Sequence, residues 1–144
     1  MQQRRGSHSV YLLQVHLVFC TKYRYRVLRG EVQERCRDLI RQVCDALDVR
    51  IIKGVVSADH VHLHVSYPAH LSVSELVRRI KGRTARKLLL EYPSLKKRYW
   101  GGHFWGIGYG AWSTGEITDA LVNEYLEHHR SRERPNDPGD FILE

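Results

Sequence analysis

The chain has 144 residues and a formal net charge of +7 at pH 7, which suits one domain with one moderate core and is too short for two. That balance indicates an attraction to polyanions, nucleic acid first and an acidic membrane surface second, with no basic amphipathic anchor helix to single out the membrane. Cys20, Cys36 and Cys44 lack a CxxC pattern, which argues against a disulfide framework or thiolate zinc site; they read as reduced packing residues of a cytoplasmic protein. No apolar run approaches the roughly 20 residues that span a bilayer, and no signal-type apolar region follows Met1 to Gly6.

Val10 to Cys20 is rich in β-branched, aromatic and leucyl residues and reads as a buried strand. The basic-aromatic run Thr21 to Arg26 follows, and Gly30 breaks the chain. Val32, Cys36, Leu39, Ile40, Val43 and Leu47 then recur at helical spacing, predicting an amphipathic helix that ends near Asp48. Val49 to Val56 and His60 to Ser66 form two further strands, joined as a hairpin by the tight turn Ser57-Ala58-Asp59. Ser72 or Ser74, with Glu75, opens a long helix to about Glu91, and Pro93 ends it. After the basic loop Lys96-Lys97-Arg98, the glycine-rich segment Phe104 to Ala111 is expected as a fourth strand whose glycines allow close backbone approach. Ser113 and Glu116 have capping-box spacing for a last helix through Ile117, Leu121, Val122, Tyr125 and Leu126. The polar tail beyond Arg130, with its prolines, reads as loose.

The order β-α-β-β-α-β followed by α predicts an α+β fold of the ferredoxin-like, RRM-like split βαβ plan. It has an antiparallel sheet and an extra C-terminal helix that carries Tyr125. Residues 1–134 are expected as the single domain and 135–144 as a flexible tail. Two helices on one face of the sheet leave the other face for a ligand.

Asp59-His60-Val61-His62-Leu63-His64 is the segment that most narrows the chemistry. Residues two apart in a strand share a face, so three imidazoles project together where Val, Ile or Phe would be usual. A metal ion would use their lone pairs; hydrogen-bonded or solvated surface histidines are the bland reading. On the last helix, Tyr125 and His129 are four apart and share a face, so a helix laid across the sheet brings phenol and imidazole towards His60 and His62. Taken alone, that helix reads equally as a core tyrosine and a frayed surface histidine.

The segments TKYR (21–24), DHVHLHV (59–65), SELVRRIKGRTARKLL (74–89), HFWGIGYGAWSTGEIT (103–118) and NEYLEHH (123–129) together resemble the single-tyrosine HUH transposases of the smallest insertion sequences, the IS200-like group. The resemblance runs in order from about Ser7 to Arg130. It implies that His60 and His62 bind a divalent metal and that Tyr125 attacks a phosphodiester of single-stranded DNA. The product would be a 5′-phosphotyrosine link and a free 3′-hydroxyl. The family's third ligand, typically Gln four residues after the tyrosine, is His129 here. His64 replaces a usually apolar residue, either as an extra polar group near the site or as a substitute ligand. Oxygen-rich substrates favour Mg2+ or Mn2+, although imidazoles also suit zinc. Related proteins act as homodimers on DNA hairpins, which implies active sites completed in trans by the Tyr125 helix, with Gly115 as the hinge.

The expected DNA surface comprises Lys22, Tyr23 and Arg24, whose aromatics interleave with cations, and Arg78, Arg79, Lys81, Arg83, Arg86 and Lys87 on the long helix. Lys96, Lys97 and Arg98 extend that charge. Both runs also read as solvated faces. Three functions compete with strand transfer: a non-catalytic single-stranded DNA- or RNA-binding module, a domesticated repeat-associated endonuclease, and a small metal-sensor or storage protein that binds metal tightly without cleaving DNA. A pure binder gives no reason to align Tyr125 with His60, His62 and His129.

Overall fold

The computed structural model describes residues 3–113 and 119–130, the side chains of 128–130 excepted. Strands β1 (Arg4–Arg5) and β2 (Val10–Tyr11) form a small antiparallel hairpin. β3 (Gln14–Cys20) leads through a 3-10 turn, Lys22–Arg24, into α1 (Gly30–Ala46). β4 (Arg50–Val56), β5 (His60–Ser66), α2 (Val73–Glu91), α3 (Pro93–Arg98), β6 (Gly110–Trp112) and α4 (Asp119–Arg130) complete the chain. The main sheet has the order β4-β5-β3-β6, antiparallel throughout. Setting aside the N-terminal hairpin and α3, this is the expected split βαβ plan with one helix added.

The sheet's two faces have different partners. Val15, Leu17 and Phe19 of β3 and Val61, Leu63 and Val65 of β5 turn to one side, where they join Cys36, Leu39, Ile40 and Cys44 of α1 and Leu76, Ile80 and Leu88 of α2 in the main core. The α1 residues recur three and four apart, the stripe that buries one side of a helix. Ser72 caps α2 by accepting a hydrogen bond from the Glu75 backbone N–H at 3.0 Å. Thr84, fully buried on α2, donates to the Ile80 carbonyl and accepts from the Trp105 indole, so its burial leaves no hydroxyl unpaired.

Four expectations at the level of elements are corrected. Val10 to Cys20 is two strands, because Val10–Tyr11 leaves the main sheet to pair with Arg4–Arg5. Lys96 to Arg98 ends a short helix instead of lying in a loop; Pro93 supplies a preset φ at its start and Leu95 is buried beneath it. The fourth strand is confined to Gly110–Trp112. Residues 106–109 contain Gly106 and Gly108, the latter at φ +85°, which interrupts an extended ladder. The long helix ends at Glu91 as expected, whereas α1 stops at Ala46, two residues early. Most of the capping box before α4, Gly115 and the tail lie outside the described residues. Among the described residues, no helix is long and apolar enough to cross a membrane.

Candidate active site

His60, His62 and His64 stand on the face of β5 that turns away from α1 and α2, half-buried in each case. The register places Cys20, Val18 and His16 of β3 directly opposite them, pair by pair. His16 escaped the sequence reading and completes a run of four imidazoles on this face. Its ring stacks on His64 with centroids 4.0 Å apart, and its Nδ1 lies 3.4 Å from His62 Nε2. Its own Nε2 is buried without a hydrogen-bond partner among the described residues. A lone histidine between Val15 and Leu17 in an otherwise apolar strand is the available signal, but its meaning shows only once β3 is paired with β5.

α4 covers the other half of the same face. Val122 and Leu126 pack on Val18 and Cys20, with Trp112 and Tyr125 at the margin. The Tyr125 ring meets the edge of Trp112, with centroids 6.5 Å apart. At Gly110 a side-chain carbon would overlap Trp112 and come within 3.2 Å of Tyr125 Cδ1, so the expected close approach occurs there. Tyr125 thus shares a sheet face with His60 and His62. It touches β6 at Trp112 and packs against the Val18 and Cys20 cluster of β3, the strand next to β5. Burial raises its hydroxyl pKa well above the usual phenol value, with the Cys20 thiol adding to the rise, so at neutral pH it is a protonated phenol.

His60 is held from behind. Its Nδ1 lies 2.8 Å from Asp59 Oδ1, and since a carboxylate only accepts, Nδ1 carries the proton and Nε2 is left as a donor for an ion. Arg24 Nη2 donates to the other Asp59 oxygen at 2.8 Å. Burial would raise the Asp59 carboxyl, but the His60 hydrogen bond and the Arg24 charge outweigh it and hold it below the ordinary value. His62 is shifted downward by burial first and then by the charges of His16, His60, His64 and Lys53, which favours the neutral, ligating imidazole. His64 Nε2 donates to Gln14 Oε1 at 2.9 Å.

The donor chemistry of His60 and His62 therefore fits part of a divalent metal site. Among the described residues, no group of three or more His, Cys, Asp or Glu is arranged to hold an ion. The His129 side chain lies outside them.

The basic residues are less uniformly free than their sequence suggests. Arg78 and Arg79 pair with Glu75, and Arg83 donates to Gln42. The Lys81 ammonium donates to the carbonyls of Gly106 at 2.9 Å and Gly108 at 2.6 Å, fastening the glycine-rich loop to α2. Arg86 and Lys87 have no hydrogen bond or ion pair to the described residues. All six lie on α2, in the layer opposite the histidines. Lys22 and the exposed Tyr23 follow β3, with the Lys22 ammonium 5.3 Å from the Tyr23 ring centre and the Tyr23 ring against Tyr25 of the main core.

Residues 9–129 match the profile of the family described as IS200-like transposases. The ISDra2 transposase TnpA of Deinococcus radiodurans is 34% identical over 133 residues, 92% of this chain and 95% of that protein. The transposase of insertion sequence element IS200 from Salmonella typhimurium is 29% identical over 128 residues, 89% of this chain and 84% of its own. Among solved structures, a transposase from Deinococcus radiodurans superposes with a TM-score of 0.81 at 31% identity, covering 88% of this chain and 97% of that one. A REP-associated tyrosine transposase bound to a REP hairpin shares the fold, with a TM-score of 0.56 at 15% identity over 99% of this chain and 83% of its own.

Proposed function

This chain belongs to the family of IS200-like transposases, and we propose that it cleaves and rejoins single-stranded DNA at hairpin-bearing ends of an insertion sequence. Tyr125 is the nucleophile, and Mg2+ or Mn2+ is the metal. The observation that carries this reading is the presence of His60, His62 and Tyr125 on one face of the sheet, with α4 laid across it. Membership of the family supports a DNA-processing activity, and the hairpin bound by the REP-associated protein supports a hairpin partner here.

In the cleavage step the Tyr125 oxygen forms a bond to phosphorus as the bond to the 3′ oxygen breaks. The leaving oxygen takes the electron pair and a proton to become a free 3′-hydroxyl. The phosphodiester is conserved as a 5′-phosphotyrosine link, so rejoining requires no ATP. His60 and His62, with His129 as third donor, would hold a divalent cation, which would supply Lewis-acid withdrawal of charge from the phosphate and orient the strand. Asp59 keeps the Nδ1 proton on His60 and so presents Nε2. The depressed His62 remains neutral for the same purpose. Because burial keeps Tyr125 protonated, its proton must leave before or during attack. In this reading the protein acts as a homodimer with sites completed in trans by the Tyr125 helix, Gly115 acting as the hinge.

The test incubates the protein with single-stranded DNA from its own gene borders and Mg2+ or Mn2+. An adduct resistant to denaturant is expected with the wild type and is lost in Tyr125→Phe and with chelator. An equal mixture of Tyr125→Phe with the double variant His60→Ala, His62→Ala recovers an adduct if the sites are shared between subunits. Adduct formation by the Phe variant, or none with any divalent ion, overturns the assignment.

A further inference from the structure

Arg24 lies at a junction that the proposed chemistry does not by itself explain. One amino group of its guanidinium, Nη2, donates to Asp59 Oδ2 at 2.8 Å, and the other, Nη1, donates to the Leu126 carbonyl at 3.2 Å. Leu126 follows the nucleophile on α4. Asp59 Oδ1 in turn accepts from His60 Nδ1 at 2.8 Å. A single chain of three hydrogen bonds therefore runs from the backbone beside Tyr125 to the imidazole of the metal pair.

The sequence suggested that Arg24 contacts DNA phosphate, but its side chain is only 13% exposed and both terminal nitrogens are committed inside the protein. Its backbone is fixed as well. Tyr23 and Arg24 have φ values of 62° and 53°, a left-handed conformation that side chains other than glycine adopt at a cost and that surrounding structure must enforce. Enforcement comes from the Thr21 hydroxyl, which donates to the Tyr25 carbonyl at 2.7 Å, from the Thr21 N–H donating to the Asp59 carbonyl at 2.9 Å, and from the Leu28 N–H donating to the Ala58 carbonyl. The 3-10 turn and the turn before β5 are thus stapled together, with the guanidinium aimed across them at α4.

Resting on the metal-pair reading above, we propose that Arg24 is a positioning residue that couples the seating of the Tyr125 helix to the orientation of His60. A guanidinium can do this because its donors diverge in a rigid plane, whereas an ammonium is a point donor that serves one end at a time. When α4 is seated, the fork is held at both ends, Asp59 is fixed and His60 presents Nε2. When α4 leaves, the fork loses one anchor and the orientation of Asp59 and His60 loosens with it. By reciprocity, an ion on His60 that fixes the ring also steadies the seat of α4.

The test compares the full-length wild type with Arg24→Gln, Arg24→Lys and Asp59→Asn, all without DNA. Mn2+ affinity is read by electron paramagnetic resonance, and backbone amide exchange is followed across α4. Each variant is expected to lose about tenfold or more in Mn2+ affinity, the usual effect of removing the group behind a ligating histidine. Faster α4 exchange is expected in both Arg24 variants. In the double variant Arg24→Gln, Asp59→Asn, the loss of affinity should be no greater than in the worse single variant, because the residues act in series. The lysine variant retains the charge, so its affinity for single-stranded DNA in chelator should stay within about twofold of the wild type.

Unchanged Mn2+ affinity and unchanged α4 exchange in Arg24→Gln, with weakened DNA binding alone, would identify Arg24 as a phosphate contact and overturn the coupling. A wild type that binds no Mn2+ overturns it too. Because neither readout involves cleavage, a wild type that shows the coupling but forms no adduct overturns only the strand-transfer reading. One that forms the adduct, while its Arg24 variants bind Mn2+ normally, overturns only the coupling.

Discussion

At the scale of single residues, the sheet face favours the neutral form of His62 and His64. His62 is pushed below the ordinary value of 6.5 by burial, and the neighbouring His16, His60, His64 and Lys53 act in the same direction; His64 is lowered by burial and His16. A histidine whose folded value is depressed stabilises the fold fully above its unfolded value and loses that contribution as pH falls through the folded value. Metal-free protein should therefore become less resistant to urea as pH is lowered from 7.5 through 6.5 to 5. His62→Gln should flatten that decline, and parallel curves for the two proteins would contradict the assignment. The same neutral form is the one that would ligate the proposed cation, so the pH range of folding stability and that of metal binding would be linked through one ring. His60, His62 and His64 were legible from the sequence because alternation within one strand is local. His16 was not, since its meaning depends on which strand lies beside it and in what register.

At the scale of elements, local periodicity carried the long pieces. α2 and β5 fall where capping and alternation place them, because each buries one face along its whole length. Two-residue strands have no period to detect, and β1 is held by a side chain instead. Arg4 is 5% exposed and donates to Ser66 Oγ and O at 3.3 and 3.1 Å, to Asp48 Oδ2 at 2.9 Å and to the Asp48 carbonyl at 2.7 Å. It ties the N-terminal hairpin to the end of β5 and to the turn after α1, where Asp48 has φ 57°. Arg4→Ala leaves the Ser66 and Asp48 carbonyls short of a donor, so urea denaturation should show a loss of about 2 kcal/mol. Asp48→Asn tolerates the same backbone and removes only a charge that is 75% exposed, and it should cost less than about 1 kcal/mol. Equal losses would mean that the ion pair, and not the buried carbonyl contacts, holds the hairpin. Likewise the split of the expected fourth strand was invisible in sequence, since only the fold brings the Lys81 ammonium to the carbonyls of Gly106 and Gly108.

At the scale of the whole molecule, charge and chemistry lie on opposite sides of the sheet. α2 buries Leu76, Ile80 and Leu88 against the face formed by Leu17, Phe19 and Leu63, so its outer cations point away from His60 and His62. A DNA molecule that uses both must pass around an edge of the sheet, with one part gripped by the helical layer and another presented to the histidines. Of the α2 cations, Arg86 and Lys87 are free to neutralise phosphate without first giving up a partner among the described residues. Replacing each by Gln should weaken binding of a border hairpin with its single-stranded flank. Each lost contact should also reduce the slope of log affinity against log salt by about 0.7 for single-stranded and 0.9 for duplex phosphate. At saturating DNA the rate of the proposed Tyr125 adduct formation should stay within about twofold, because neither residue reaches the histidine face. A change in that rate with an unaltered salt slope would place these cations in the chemistry instead, and would require α2 and the histidine face to meet across two subunits.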